Sequence, residues 1–182
     1  MMKNSFLTVL LLLCLSGCGL NPGQLELLQP PEEESDSLFN LKLFTGKELR
    51  FSGLIGLKTT DNGLHCLLLD ASGIKLLEGS LDSSGQWKTT FVLAPFEQSG
   101  LVSFLALSLR RTYLHFPAEI PCSRSLLNRF CIYQEEQWQK VEQSGVVTVW
   151  QARYQKRPRP FLLQSAEFHH HLFDLTLSLK KI

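Results

Sequence analysis

Residues 48 to 93 form four short alternating segments joined by glycine-containing turns, and nothing else in the chain limits its folding options as much. Glu48 to Lys58 sets Leu49, Phe51, Ile55 and Leu57 on one face against Arg50, Ser52 and Lys58 on the other, with Gly53 and Gly56 permitting a bend. Asp61-Asn62-Gly63, Ala71-Ser72-Gly73 and Asp82-Ser83-Ser84-Gly85 then separate Leu64–Asp70, Ile74–Leu81 and Gln86–Leu93. In the last segment the alternation puts Trp87, Thr89, Phe91 and Leu93 on one face. Strands this close, linked by turns of this chemistry, predict an antiparallel meander. A large one-sided sheet must curl to bury its apolar face.

After Pro95 to Gly100 the period changes. Leu101 to Phe116 contains no Gly or Pro. A helical wheel places Ser103, Ser108, Arg110, Arg111, Thr112 and His115 on one half, and Leu101, Val102, Leu105, Leu109 and Phe116 on the other. This predicts a helix lying over an apolar surface. Pro117 and Pro121 break the chain, and Ser123 to Phe130 is expected to be a short helix. Strand patterns return at Phe130–Gln134, Trp138–Val141, Val146–Gln155, Phe161–Phe168 and Phe173–Lys180. Lys156-Arg157-Pro158-Arg159-Pro160, the one basic cluster, reads as a turn.

The chain has 182 residues, 44% apolar and 19% charged, with 18 Lys and Arg against 17 Asp and Glu. That balance excludes disorder as the main state and offers no basic field for nucleic acid. Met1 to Gly17 reads as a secretory signal, with Lys3 as its basic head and Phe6 to Leu15 as its apolar run, too short to span a bilayer. Leu15-Ser16-Gly17-Cys18 resembles the lipobox of bacterial lipoproteins. The resemblance implies that Cys18 is the lipidation site, diacylated through its thiolate, cleaved free and acylated again on its amino group. Several acyl chains make a stable anchor, and Gly19 in place of an inner-membrane-retaining Asp points to the outer membrane, periplasmic side. The Pro- and acid-rich stretch 18–37 then reads as a tether, leaving 38–182 as the folded domain. Of five cysteines, Cys66, Cys122 and Cys131 remain in that domain. Cys122 and Cys131 are close enough in sequence to pair in an oxidising compartment, but Cys131 also suits a small buried thiol.

A lipobox, a tether, the phrases Glu48-Leu49-Arg50-Phe51 and Leu67-Leu68-Leu69-Asp70-Ala71-Ser72-Gly73-Ile74-Lys75-Leu76, a helical middle, and closing strands around Pro160 and Leu175-Thr176-Leu177 together resemble the LolB-like lipoproteins. The resemblance implies a mainly β fold with a helical insertion: an unclosed antiparallel β-barrel, or half-barrel, covered on its concave side by one or two helices. It also implies an apolar cavity for the acyl chains of lipids or lipoproteins, with a periplasmic carrier as partner. An exposed apolar loop helps insertion in that family. The matching loop here, Leu69 to Leu76, has a tip without a large apolar residue, which leaves acyl-chain binding as the expectation. The residues that alternation and helical spacing would turn towards such a cavity are Phe51, Ile55, Trp87, Phe91, Leu101, Leu105, Leu109 and Trp150.

The sequence contains no Gly-x-Ser-x-Gly elbow, His-Glu-x-x-His helix, phosphate-cradling Gly-Lys-Ser/Thr loop or CxxC pair, so a binding protein without catalytic residues or cofactor is expected. His169 and His171 would share a strand face beside Glu167 and Asp174, but the three successive histidines, between two strands, read as a polar turn rather than a metal site. The competing expectation is a structural or assembly lipoprotein with a filled interior, docking an envelope protein complex.

Overall fold

The computed structural model describes residues 36–97, 100–119, 121–134, 137–156 and 163–182. The signal segment, Cys18, the tether as far as residue 35, and residues 157–160 of the basic cluster lie outside the described residues.

The elements are β1 (Asp36–Thr45), β2 (Glu48–Thr60), β3 (Gly63–Leu69), β4 (Lys75–Asp82), β5 (Trp87–Val92), α1 (Ala94–Glu97) and α2 (Leu101–Leu109). A π-helical turn at Arg110–Leu114 extends α2. Then come β6 (Cys122–Ser125), β7 (Asn128–Gln134), β8 (Trp138–Ser144), β9 (Val147–Lys156), β10 (Leu163–His170) and β11 (Leu175–Lys181). Among the described residues all eleven strands belong to one sheet in the order β5-β4-β3-β2-β1-β11-β10-β9-β8-β7-β6. Every neighbouring pair is antiparallel. The two outer strands, β5 and β6, do not pair with each other, so the sheet curls without closing. The fold is thus the expected one: mainly β, an unclosed antiparallel half-barrel with short helices.

Cross-strand partners share a face, so the register traces one apolar surface across the sheet. Leu77 stands opposite Leu68, Leu68 opposite Ile55 and Ile55 opposite Phe39. On the other side of β1, Leu43 faces Leu177, Leu177 faces Phe168 and Phe168 faces Ala152. Phe104, Leu105 and Leu109 of α2 are buried in the same cluster, which is therefore one core between sheet and helix. Each such side chain removed from water contributes about 1.5–3 kcal/mol.

Four features differ from the sequence expectations, and a fifth, the disulfide, decides a pairing that the sequence leaves open. β1 is an additional strand, and it begins at Asp36, inside the span assigned to the tether. The segment Ser123–Phe130 forms the β6–β7 hairpin instead of a helix. A disulfide joins the cross-strand partners Cys122 and Cys131, with Cα atoms 4.1 Å apart, and this settles the open cysteine pairing. A helix so short has too few hydrogen bonds to offset its nucleation, whereas a hairpin gains a ladder and a covalent tie. The α-helix stops at Leu109, and the wheel's polar half does not face solvent throughout: Ser108 and Thr112 are buried. Finally, β11 starts at Leu175 because residues 171–174 form the turn, with Asp174 in a left-handed conformation.

Candidate functional site

The candidate site is the interior between the curved sheet and α2. Ile55, Leu105, Leu109 and Trp150 lie in the shared core, and Phe51, Trp87 and Leu101 are half-buried against it. Trp87 lies across Gly79: a Cβ there would fall 2.4 Å from the indole Cζ2, so glycine provides the space for the ring.

Phe91 is a correction. Leu81 pairs with Trp87 and Gly79 with Thr89, but a bulge then shifts the register so that Phe91 stands opposite Glu78 and Val92 opposite Leu77. One inserted residue reverses the alternation. Val92 therefore packs on the core, and Phe91 lies on the far face, with the Lys75 ammonium 4.7 Å from its ring centroid.

The interior is closely packed around Ile55, Leu109 and Trp150, which have 0% of their surface accessible, because a void wide enough for water beside them would leave accessible area. An acyl chain could enter only by displacing something, and α2 is the element whose attachment is uneven. It begins on Gly100, at φ 70°, with no side-chain cap. Its far end is held by Lys140 on β8: the buried ammonium donates to the carbonyls of Thr112 and His115, each at 2.9 Å, and of Arg111 at 3.4 Å. The Tyr154 hydroxyl donates to the same Thr112 carbonyl at 2.9 Å. A cation supplying donors to the last carbonyls of a helix satisfies both their hydrogen bonding and the end of the helix dipole. Within α2, the buried Ser108 hydroxyl donates to the Phe104 carbonyl at 2.7 Å, which explains how a polar side chain is tolerated there.

Beside this staple is a polar and aromatic cluster. The Trp150 indole N–H donates to the Glu142 carboxylate. The Arg111 guanidinium is 3.7 Å from that carboxylate and 5.0 Å from the Trp150 ring centroid. His115 stacks on Phe130 with centroids 4.6 Å apart, and His170 on Phe173 at the same spacing. Burial lowers the Arg111 pKa, against the pull of Glu142. Burial likewise lowers the pKa of His115, aided by Lys140, Arg110 and Arg111, and that of His170, aided by Arg111. Burial pushes the Cys66 thiol up to about 12, which makes it an inert core residue.

Lys140 and Glu142 were not among the residues expected from sequence. On β8 it is Trp138, Lys140 and Glu142 that stand opposite the inward Tyr154, Ala152 and Trp150, while Val141 faces Cys131 on the other side. The strand is inverted relative to the usual amphipathic rule. Its alternation was readable, but which face turns inward was not.

His169 and His171 do come together, with ring centroids 4.3 Å apart, and His169 Nδ1 is 2.7 Å from the Thr176 hydroxyl. Among the described residues no group of three or more His, Cys, Asp or Glu could hold a metal ion. The Asp70 turn is tied by its own carboxylate, which accepts from the Ser72 amide at 2.8 Å, the Ser72 hydroxyl at 2.7 Å and the Ile74 amide at 2.9 Å. No protein-family model matches the chain, nor does any curated protein at significance, so the functional reading stands on the residues described above.

Proposed function

We propose that this chain is a non-catalytic outer-membrane lipoprotein, anchored through Cys18, that holds acyl chains between its curved sheet and α2 and serves lipid or lipoprotein transport to that membrane, as the LolB-like proteins it resembles do. The observation that carries the reading is the apolar concave face of an unclosed sheet covered by α2. Ligand uptake on this reading is an exchange. Moving α2 aside removes the burial of Phe104, Leu105 and Leu109, at about 1.5–3 kcal/mol each. An acyl chain taking their place regains about 0.8 kcal/mol per buried methylene, so a long chain offsets the loss.

Native mass spectrometry of the purified chain, followed by titration with a fluorescent fatty acid, tests this. Co-purified lipid or saturable uptake is expected, with uptake weakened by Leu105→Glu. Lys140→Met, which loosens the far end of α2 and keeps the apolar interior, is expected to speed it. A folded chain that carries no lipid and gives no saturable signal would sink the proposal. The close packing around Ile55, Leu109 and Trp150 would then favour the second reading, an assembly lipoprotein that docks an envelope complex by its surface.

A further inference from the structure

The antiparallel order sends successive turns to alternate ends of the half-barrel, and the two ends differ in chemistry. At one end lie the turns 46–47, 70–74, 126–127, 145–146 and 171–174. Backbone bonds tie neighbours there: the Gly46 amide donates to the Asp174 carbonyl and the Gly145 amide to the Leu127 carbonyl, each at 2.8 Å. This rim carries exposed large apolar side chains at several tips, including Ile74, Leu127 and Leu172. The extremes are Leu126 at 106%, Val146 at 97% and Leu127 at 77% exposure, and Phe173 is 64% exposed. At the opposite end the described turns read Asp61-Asn62 and Asp82-Ser83-Ser84-Gly85, Asp36 begins the described chain there, and the exposed large apolar side chain of Ile182 lies beside the start of β1 and outside any turn.

We infer that the apolar rim is a bilayer-docking surface, with the Leu126-Leu127 tip entering the acyl region and Arg124 and Arg129 meeting anionic headgroups behind it. The two arginines are direct cross-strand partners, two steps back from the tip behind the Ser125–Asn128 pair, on the sheet face that carries the Cys122–Cys131 disulfide, with Arg129 Nε 3.1 Å from Cys131 Sγ. Like charges so placed repel, and a phosphate layer relieves that repulsion. Apolar tip followed by cation repeats the order of hydrocarbon then headgroup in a leaflet. The tips are separate convex points around an open rim, and a fluid surface accommodates such points without the continuous complementary area a protein partner needs. Length also permits it. Residues 19–35 span at most about 55–60 Å when extended, whereas β1 is about 34 Å long, so an anchor at Cys18 can serve a domain that meets the membrane by its far end. The inference holds whether or not the interior takes up acyl chains.

The test attaches an environment-sensitive fluorophore to L127C, or to S83C at the opposite end, in the full chain mixed with phosphatidylcholine–phosphatidylglycerol vesicles. Cys66 stays unlabelled because it is buried with its thiol pushed up to about 12. Brominated acyl chains are expected to quench the L127C label and not the S83C label. In the Cys18→Ser chain, whose vesicle binding does not run through acyl chains, Arg124→Gln and Arg129→Gln, or omission of phosphatidylglycerol, should weaken partitioning by about fivefold per arginine. Equal quenching at both positions, or none at L127C in a chain that unfolds like the unlabelled protein, overturns the inference. So does a blue shift that grows with protein concentration without vesicles, which would make the rim a contact between two copies. Intact mass reports the state of Cys18 independently, so failure of the anchor and failure of the rim are told apart.

Discussion

Replacing Lys140 with methionine removes the staple at the end of α2 while keeping most of the side-chain volume. The ammonium makes two hydrogen bonds at 2.9 Å and one longer approach at 3.4 Å, and sits 3.8 Å from the Phe116 ring centroid. Charge-assisted bonds contribute about 1.5–3 kcal/mol each, and the cation–π and helix-end interactions about 0.5–2 kcal/mol each. Burying an ammonium costs several kcal/mol in return, and methionine does not incur that cost. Tyr154 also continues to serve the Thr112 carbonyl. The net expected loss is about 2–3 kcal/mol, a fall of roughly 4–12 °C in Tm for a chain of this size. Urea unfolding followed by tryptophan fluorescence reads it, and amide exchange should quicken in α2 before the sheet. Tyr154→Phe alone should cost about 1 kcal/mol, and the double variant should be non-additive, because both groups act on one carbonyl. A Lys140→Met chain as stable as the parent, with unchanged exchange in α2, would refute the staple.

Two further outcomes follow from the same geometry. The pKa of His115 and of His170 is lowered in the folded chain, so the unfolded chain binds more protons just below about pH 6.5; their contribution is complete above that pH and is lost as pH falls through the folded values. The urea midpoint should therefore drop between about pH 7 and pH 5, less steeply in His170→Phe, and a flat midpoint would contradict the assignment. Gly79→Ala should destabilise by about 1–3 kcal/mol, since its Cβ would meet the Trp87 ring at 2.4 Å and the Lys88 carbonyl at 2.8 Å; calorimetry showing an unchanged Tm would mean that Trp87 packs elsewhere.

Much of the architecture was legible in the residues. The turns at 61–63, 71–73 and 82–85 place β2 to β5 to within a few positions, and the long apolar run at Leu101 marks the covering helix. Phe39, Leu41 and Leu43 carry the same period-two signal in β1, but it lies next to a Pro- and acid-rich stretch that draws the segment into the tether. Of the eight residues expected inside, Ile55, Leu105, Leu109 and Trp150 are core, Phe51, Trp87 and Leu101 border it, and Phe91 lies outside. No local signal announces the bulge in β5, because an inserted residue is visible only against its partner strand. Local sequence determined strand and turn positions, since alternation and turn chemistry act over a few neighbouring residues. Tertiary structure alone decided which face of β8 turns inward and what Lys140 does there. An ammonium can be buried only where carbonyls arrive to meet it, and those carbonyls belong to a helix end 25 to 29 residues earlier in the chain.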